Sequence, residues 1–449
     1  MTIAEVRVAL DRRATTASAL TEAAYARIDD PAGEGQRSFI RLFRDAAFAA
    51  ARDDDTCRAA GGSLGPLAGL PISIKDLCDV AGSTTLAGSK ALATSPPAVT
   101  DAPVVARLRR AGAVILGTTN MTEFAMGSPG ANPHYGTPAN PYDRATRRIP
   151  GGSSSGAAVS ISDGMAVAAL GSDTAGSVRV PAALCGLTGF KPTARRVPLE
   201  GTVPLAFSVD SIGPLAHSVA CCATMDAVLA GETDAVLVSR PLRGLRLGLP
   251  SNHVTEGLDP LVAAAFEYAV SALSAAGAKI ETFDFAALRE MAAIVARLPI
   301  AVAEGYWWHR ELLATRGELY DPRIARRLRA GAAIAAADYI DYCRGRADVS
   351  ARAAVATAQF DAVIMPTTHI VAPPIAAVEH DDAAWLATNL TLIRNPGIAN
   401  FMDRCALTIP CHAPGEAPVG LTLMGETMSD RALLAIGQEV ETVLRRALR

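Results

Sequence analysis

The sequence predicts an α/β fold: a single large unit in which helices cover a central mixed β-sheet, with a helix-rich second half. Short apolar runs of strand length alternate with segments that repeat apolar residues at helical spacing, and this alternation is typical of α/β proteins. Half of the 449 residues are hydrophobic and 19% are charged, so the chain can build a large core. Because no repeat and no low-complexity linker interrupts it, we expect residues 1–449 to form one domain.

Helical and strand patterns begin at the N-terminus. The first 55 residues alternate apolar and charged positions at helical spacing, and these helices are predicted to end near the glycines at 61 and 62. The run at 72–74, with two β-branched isoleucines, predicts a strand that ends directly before Lys75. The segment "APVVARLRRAG" then predicts a helix closed by its glycine, and residues 114–116 predict a buried strand.

The middle of the chain is rich in glycine, proline and serine. Residues 127–150, "GSPGANPHYGTPANPYDRATRRIP", favour a long irregular loop, and loops of that length in compact domains are often functional. The stretch "GGSSSG" follows, and an N-cap is the expected role of Ser154 or Ser155. We then predict a strand over 165–170, a turn "GSDTAGS" and a short helix from Ser177. Two interpretations of this turn stay open: its N–H groups converge as an oxyanion hole, or it is an ordinary turn capped by Asp173 or Ser172.

From about residue 240 the pattern becomes helix-rich. The predicted strands there are 245–249, 279–283, 362–365, 406–409 and 419–423, and the predicted helices are 259–276, 286–315 and 335–358.

Charge and composition exclude several classes of function. The formal net charge is −3 and no block of basic residues occurs, which argues against binding to nucleic acid or to an anionic membrane. The N-terminus lacks the apolar centre of a signal peptide, and no stretch reaches the roughly 18 apolar residues of a membrane span. We therefore expect a cytoplasmic protein whose partners are small molecules.

Three common kinds of reaction site are disfavoured by the motifs. The seven histidines and eight cysteines form neither an H-E-x-x-H nor a C-x-x-C pattern, so we predict no metal and no cofactor. A phosphate-binding P-loop needs a lysine after its second glycine, whereas Gly156 is followed by two alanines. The segment around Ser177 lacks the second glycine of a G-x-S-x-G nucleophile elbow. For His134 we expect a structural hydrogen bond.

Lysine is rare in this chain, and one lysine is placed where an amine could react. Four of the 42 basic residues are lysines, at positions 75, 90, 191 and 279. Unlike a guanidinium, an amine can lose its proton, and burial lowers its pKa. Lys75 follows a predicted apolar strand, so it could act as a base that activates a serine. A surface lysine is the alternative at this point.

Three segments in order resemble the amidase signature family of hydrolases. They are "GLPISIKDL", "PGGSSSGAAV" and "GSDTAGSVRVPAALCGLTGFKPT". The resemblance is continuous from about residue 67 to 214, which we take as the signature core. It is looser over the remainder of the chain, whose helix-rich portion from about 240 to 400 we expect to shape the substrate site.

The resemblance implies a Ser-Ser-Lys triad. Lys75 corresponds to the base, Ser153 to a proton relay that follows a cis peptide bond, and Ser177 to the nucleophile. The implied oxyanion donors are the backbone N–H groups of Thr174, Ala175, Gly176 and Ser177. Members of the family commonly carry glycine at the position of Ala175, and allophanate hydrolases are similar to this chain in carrying alanine.

The resemblance also suggests roles for residues around the triad. Met126, Gly127 and Ser128 match a segment that lines the substrate pocket. Asp173 and Arg179 are expected to brace the turn. For the aromatic residues Tyr306, Trp307 and Trp308 we expect packing in the core, with a role in substrate specificity as the alternative.

The resulting expectation is a stand-alone, cofactor-free amidase that cleaves a small carboxamide or a urea-type C–N bond through an acyl-enzyme on Ser177. A homodimer is compatible with this function. One alternative is the glutaminase (A-type) subunit of a tRNA-dependent amidotransferase, although "GFKPTARRVPLEGTVPLAFSVDSIGP" departs from that subfamily after K-P-T. The other is a catalytically silent binding protein on the same scaffold.

Overall fold

The computed structural model describes residues 1–62, 64–233 and 236–447, and one mixed β-sheet of eleven strands runs through them. The strands are β1 (Phe39–Leu42), β2 (Pro71–Lys75), β3 (Val114–Thr119), β4 (Ala168–Asp173), β5 (Thr188–Lys191), β6 (Ser211–Ala216), β7 (Arg246–Pro250), β8 (Lys279–Phe283), β9 (Ala362–Pro366), β10 (Ala406–Pro410) and β11 (Gly420–Met424).

Helices cover this sheet. They are α1 (Ile3–Asp11), α2 (Ala17–Asp29), α3 (Gly35–Ser38), α4 (Arg44–Ala59), α5 (Pro103–Arg110), α6 (Ser155–Ser162), α7 (Arg179–Leu184), α8 (Val219–Ala230), α9 (Pro260–Ala275), α10 (Ala286–Arg297), α11 (Ile300–Arg316), α12 (Pro322–Arg329), α13 (Ala336–Thr357), α14 (Ala376–Glu379), α15 (Asp382–Ile393), α16 (Pro396–Phe401) and α17 (Asp430–Ala447). In the described part of the chain, no helix combines the length and the apolar character needed to cross a bilayer.

The strand order is β1-β3-β2-β4-β6-β5-β10-β11-β9-β7-β8. Strand β2 lies parallel to β3 and β4, and β7 lies parallel to β8 and β9, whereas the strands between these two groups pair antiparallel. The prediction of an α/β fold with a mixed central sheet is confirmed. Pairing of β5 with β10 joins the first half of the chain to the second.

The parallel pair β2 and β4 brings two segments of the sequence together. Ile72, Ser73 and Ile74 of β2 pair with Ala168, Ala169 and Leu170 of β4. Both strands are buried along their full length. Because the carboxyl ends of parallel strands lie at the same edge of a sheet, Lys75 meets the end of β4 there.

Several predicted boundaries were wrong, for identifiable reasons. Strand β4 was predicted over 165–170 but extends to Asp173, because its last residues pair with β6. Strand β6 was missed, since the Gly213-Pro214 pair resembles a turn. A side chain could not replace Gly213, because its Cβ would lie 2.1 Å from the carbonyl oxygen of Phe190.

A proline explains why one helix predicted in the second half of the chain is in fact two helices. A single helix was predicted over 286–315, but two helices, α10 and α11, meet at Leu298 and Pro299. Proline lacks the N–H that a continuous helix would need there, and it disfavours helical geometry in the residue before it. Leu298 is accordingly extended, with φ −144° and ψ 104°.

Candidate active site

The side chain of Lys75 lies at the carboxyl end of β2 and is fully buried. Its Nζ donates hydrogen bonds to the Oγ of Ser153, at 2.7 Å, and to the Oγ of Ser172, at 2.8 Å. The alternative of a surface lysine is therefore wrong. Within the described residues the amine bonds to these two hydroxyls and to no carboxylate.

Burial sets the protonation of this amine. Removal from water disfavours the charged form and lowers the pKa of Lys75 to about 7, although the Asp173 carboxylate, Cys78 and Asp210 act in the opposite direction. Near neutral pH a substantial fraction of the amine is therefore unprotonated. Lys75 can exchange a proton with Ser153 without any metal or imidazole.

Ser153 lies in the loop that leads into α6. The peptide bond between Gly152 and Ser153 is cis, as the resemblance implied. The carbonyl oxygen of Ser153 accepts a hydrogen bond from the N–H of Thr122, at 3.1 Å. Ser154 occupies the N-cap position of α6, but its side chain makes no capping bond; its Oγ donates instead to the carbonyl of Ser172, at 3.3 Å. The capping role expected of Ser154 was wrong in this respect.

Ser177 lies in the turn between β4 and α7. The N–H of Ser154 donates to the carbonyl oxygen of Ser177, at 3.2 Å, so this turn is tied directly to the loop of Ser153. Ser177 is 5% exposed, and its Oγ makes no hydrogen bond to any described residue. The structure thus brings the three predicted triad residues into one region, with Lys75 and Ser153 in direct contact.

Asp173 holds the turn in shape. Its carboxylate accepts the N–H groups of Gly176, at 2.7 Å, and Val178, at 3.1 Å. Arg179 donates to both of its oxygens, at 3.0 and 3.1 Å, and Asn400 of α16 donates to Oδ1 at 3.0 Å. Burial alone would raise the pKa of Asp173, but Arg179, Lys191 and Asn400 together outweigh it and hold that pKa below the usual range. Asp173, and not Ser172, caps the turn.

Glycine is required at one position of the turn. Gly176 has φ +119°, a conformation that residues with a side chain rarely adopt, and its Cβ would lie 2.5 Å from Cβ of Pro396. Three of the four predicted oxyanion donors, the N–H groups of Thr174, Ala175 and Ser177, have no hydrogen-bond partner in the described ranges. The fourth differs, because the N–H of Gly176 is paired with Asp173.

A buried carboxyl supports the other side of the turn. The Oγ1 of Thr174 donates to Asp210 at 2.6 Å. Asp210 also accepts the N–H groups of Leu205 and Ala206, each at 3.0 Å, which closes a short loop over residues 205–210. Burial raises the pKa of Asp210, although these hydrogen bonds act to lower it. A small cavity lies beside this contact and is lined in part by Ser172, Thr174 and Ser211.

A larger cavity is lined by Phe207 of the 205–210 loop and by residues of α11 and α13. Its volume is about 550 Å³, and its walls include Phe207, Glu304, Tyr306, Trp307, Arg310 and Tyr339. The rings of Phe207 and Trp307 meet edge to face at 5.7 Å. Both are more than half exposed, so the expectation that Trp307 packs in the core was wrong. Tyr306 and Trp308 are partly buried against the core.

The predicted pocket residues lie beside α11 and α15. Met126 is buried, and its methyl group would be 3.6 Å from a Cβ on Gly305, the neighbour of Glu304 in α11. Gly127 and Ser128 are held by residues of α15: Gly127 lies against the ring of Trp385, and the N–H of Ser128 donates to Asn389, at 2.8 Å.

Other predictions concern residues outside the triad. His134 makes the structural hydrogen bond expected of it, to Glu123 at 2.9 Å. Across residues 1–62, 64–233 and 236–447, no three histidine, cysteine or acidic side chains come together as metal ligands would.

Sequence reasoning considered Ser172 only as a cap of the turn, not as a partner of Lys75, and did not identify Asp210 or Asn400 as parts of the site. Ser172 could have been found by extending β4 by two residues, since Lys75 and the end of β4 then share a sheet edge. No local pattern marks Asp210 or Asn400, which reach the turn from 36 and 227 residues away.

The chain is similar to known proteins over almost its whole length. The sequence model of the family described as Amidase matches residues 19–434. The chain is 37% identical to 2-amino-5-chloromuconic acid deaminase of Comamonas testosteroni, over 99% of this chain and 96% of that protein. It is 36% identical to the A-type subunit of glutamyl-tRNA(Gln) amidotransferase of Roseiflexus sp. (strain RS-1), with the same coverage. A solved structure described as an amidase has a TM-score of 0.88 and 32% identity, over 98% of this chain and 99% of that chain.

Proposed function

Because the chain belongs to the amidase family, whose members hydrolyse amide C–N bonds, we propose that it is a stand-alone amidase acting on a small carboxamide or a urea-type compound. The observation that carries this proposal is the 2.7 Å hydrogen bond between the buried amine of Lys75 and Ser153. An amine with a pKa near 7 can accept a proton and return it within one catalytic cycle.

Acylation begins with Ser177. Its Oγ attacks the carbonyl carbon of the substrate while its proton passes to the Oγ of Ser153, and the proton of Ser153 passes to the neutral amine of Lys75. The Oγ of Ser177 has no competing partner in the described structure, which leaves it available to the substrate. The bond between Ser154 N–H and Ser177 carbonyl supports this route, because it keeps the two serine segments adjacent.

The oxyanion that forms is stabilised by backbone N–H groups. Those of Thr174, Ala175 and Ser177 are unpaired in the described residues and supply this stabilisation, whereas Gly176 acts chiefly by shaping the turn against Asp173. Removing a single oxyanion donor typically lowers kcat by about 10² to 10³-fold. The turn is therefore as important to the rate as the proton relay.

Collapse of the tetrahedral intermediate releases the amine. The proton on Lys75 returns through Ser153 to the leaving nitrogen, so the C–N bond breaks and an ester on Ser177 remains. A water molecule then attacks this ester by the same relay. The products are a carboxylic acid and ammonia or an amine, or the corresponding carbamate for a urea-type substrate, and no cofactor takes part.

Substrate recognition involves Met126, Gly127 and Ser128 together with the larger cavity. Met126 supports this assignment because its methyl group and the carbonyl oxygen of Leu205 both lie beside Gly305 of α11. A hydrolysis screen over aliphatic, aromatic, dipeptide-like and urea-type amides would identify the substrate class.

Trp307→Ala is expected to raise KM for the preferred amide more than it lowers kcat.

The proposal is tested on the nucleophile. Ser177→Ala should lower hydrolysis of the best amide in the screen by at least about 10³-fold, because no other group can form the acyl-enzyme. It should also abolish labelling by a fluorophosphonate probe, which mass spectrometry is expected to locate on Ser177 in the wild type.

Ser155→Ala is the matched control. This buried serine belongs to the same G-G-S-S-S-G segment, but among the described residues its Oγ hydrogen-bonds only to the carbonyl of Asn120, at 3.4 Å. It should keep most of the activity. Near-normal turnover in Ser177→Ala, or a wild type that the probe does not label, would contradict the proposal, and the second outcome would favour a silent binding protein.

The second candidate is a glutaminase subunit of an amidotransferase. It is favoured by the 36% identity to the A-type subunit of such an enzyme over nearly the full chain. Hydrolysis of a small amide by the purified chain alone supports the stand-alone enzyme. Glutamine hydrolysis that appears only with a co-purifying partner would support the subunit instead.

A further inference from the structure

Lys75 has a second hydroxyl partner that the Ser-Ser-Lys relay does not use. The Oγ of Ser172 lies 2.8 Å from Nζ, almost as close as the Oγ of Ser153 at 2.7 Å. Ser172 is on β4, in the sheet that also carries Lys75, and it is 6% exposed. Its position is therefore fixed by the backbone hydrogen bonds between β4 and β6.

A relay base must present its lone pair to one particular oxygen. A neutral lysine amine has two N–H groups and one lone pair, and rotation about the last C–N bond exchanges their directions. If one N–H remains on Ser172, the lone pair can stay directed at Ser153. We propose that Ser172 is a positioning residue, whose hydroxyl oxygen accepts a hydrogen bond from Lys75 and thereby directs the lone pair of the amine to Ser153.

The charges around the amine explain why a hydroxyl suits this position. The titratable groups that act on Lys75 are Asp173, Cys78 and Asp210. The carboxylate of Asp173 accepts hydrogen bonds from Arg179 and from the N–H groups of the turn, and the carboxylate of Asp210 accepts one from Thr174. A carboxylate in the place of Ser172 would keep Lys75 protonated, whereas a hydroxyl orients the amine and leaves it able to lose its proton.

This inference rests on the proposed function, but the contact can be tested without catalysis. The chain has only four lysines, at 75, 90, 191 and 279. Labelling with ¹³C-lysine therefore gives four side-chain signals whose titration NMR can follow, and Lys75→Arg identifies the signal of Lys75. The hydrogen bond to Ser172 stabilises the charged form of the amine. Its loss in Ser172→Ala should therefore move the midpoint of the Lys75 titration about one pH unit lower.

The matched control is Ser73→Ala. Ser73 is also fully buried on β2, two residues before Lys75, but its hydroxyl bonds to Ser160, at 2.9 Å. This variant should leave the Lys75 midpoint unchanged. Ser172→Cys provides a second test, because it keeps nearly the volume of serine and offers only a weak acceptor. It should shift the midpoint in the same direction as Ser172→Ala.

The kinetic test uses the fluorophosphonate probe. Ser172→Ala should lower the labelling rate constant of Ser177 by about 10- to 100-fold at the optimum, and the acid limb of its pH profile should move to lower pH. Ser172→Thr, which restores a hydroxyl, should recover most of the rate and return the limb toward that of the wild type. If Ser172 had a purely structural role, its removal would lower the labelling rate but leave the acid limb of the pH profile unchanged.

Two results would overturn the inference. One is an unchanged Lys75 midpoint in both Ser172→Ala and Ser172→Cys, and the other is an equal shift in Ser73→Ala. A wild type that is not labelled on Ser177, while the Lys75 midpoint still responds to Ser172, would instead refute the proposed function and leave the contact established.

Discussion

At the residue scale, the amine of Lys75 decides the chemistry that the site can perform. It is fully buried, it contacts two hydroxyls, and its pKa lies near 7 because water is excluded. A serine relay needs a base that is neutral at the working pH and close enough to exchange a proton directly. Lys75 meets both conditions.

The proposed mechanism makes the rate depend on pH in one direction. Only the neutral amine can accept the proton, so kcat/KM should be level above pH 7 and fall about tenfold per pH unit below it. The measurement is kcat/KM between pH 5 and 8.5 with the amide that the screen identifies. An activity that rises toward acid pH would exclude Lys75 as the base.

Arg179 illustrates how a buried charge pair supports the site. Its guanidinium pairs with Asp173 at 3.0 Å, and neither side chain is exposed. Arg179→Met should lower the free energy of unfolding by about 3 kcal/mol or more, since the Asp173 carboxylate would remain buried without its cation. Denaturant unfolding followed by circular dichroism measures this change.

Arg352→Met is the control for that measurement. Arg352 pairs with Glu290 and Asp348 on the surface, where about half of its side chain is exposed. We expect no measurable loss of stability. Equal effects of the two substitutions would mean that the buried pair does not hold the turn.

At the element scale, the turn between β4 and α7 is shaped by helix α16. Asn400 of α16 donates to the carbonyl oxygen and to the carboxylate of Asp173, each at 3.0 Å. Pro396 of the same helix fills the space beside Gly176. The donors proposed for the oxyanion are thus held in place by a helix from the other half of the chain.

This packing predicts the effect of a single methyl group. Gly176→Ala should slow fluorophosphonate labelling of Ser177 by on the order of 10²-fold or more, because the new Cβ would collide with Pro396 and displace the turn. Ala175→Gly restores the glycine common in the family one residue earlier and should change the rate only a few-fold. If Gly176→Ala retained the full labelling rate, the turn would not be the oxyanion site.

The elements also show what the sequence could and could not predict. The strand before Lys75 was predictable because its apolar run is short and ends at a charge, and the serine segments were predictable from their motifs. Strand β6 was not, since Gly213 is required by the approach of Phe190 rather than by a turn. The contribution of Asn400 was not either, because it depends on tertiary packing that leaves no local pattern.

At the scale of the whole molecule, the sheet joins the signature core to the second half. Residues 67–214 supply the amine, the serines and the turn, whereas α11, α13 and α16 supply the large cavity and the support of the turn. The core could be predicted because its chemistry constrains residue types at fixed positions. The cavity could not, because many apolar and aromatic residues can line such a space.

The burial of Lys75 also has a consequence for the stability of the protein. The amine titrates near 10.5 in an unfolded chain and near 7 in the folded protein. Between these values the unfolded state binds more protons than the folded state, so the free energy of unfolding increases as the pH rises. The destabilisation caused by burying this amine is therefore largest below pH 7 and disappears above pH 10.5. The buried amine therefore destabilises the fold at neutral pH.

Removing the amine should reverse that effect. Lys75→Met is expected to be inactive and yet to melt at a higher temperature than the wild type at pH 7.5. Calorimetry at pH 7.5 and 9 should show the difference in Tm between the two proteins shrinking as the pH rises. If the difference in Tm did not depend on pH, the pKa of Lys75 would be the same in the folded and unfolded states. In this fold, the group that would make the serine reactive also limits heat resistance.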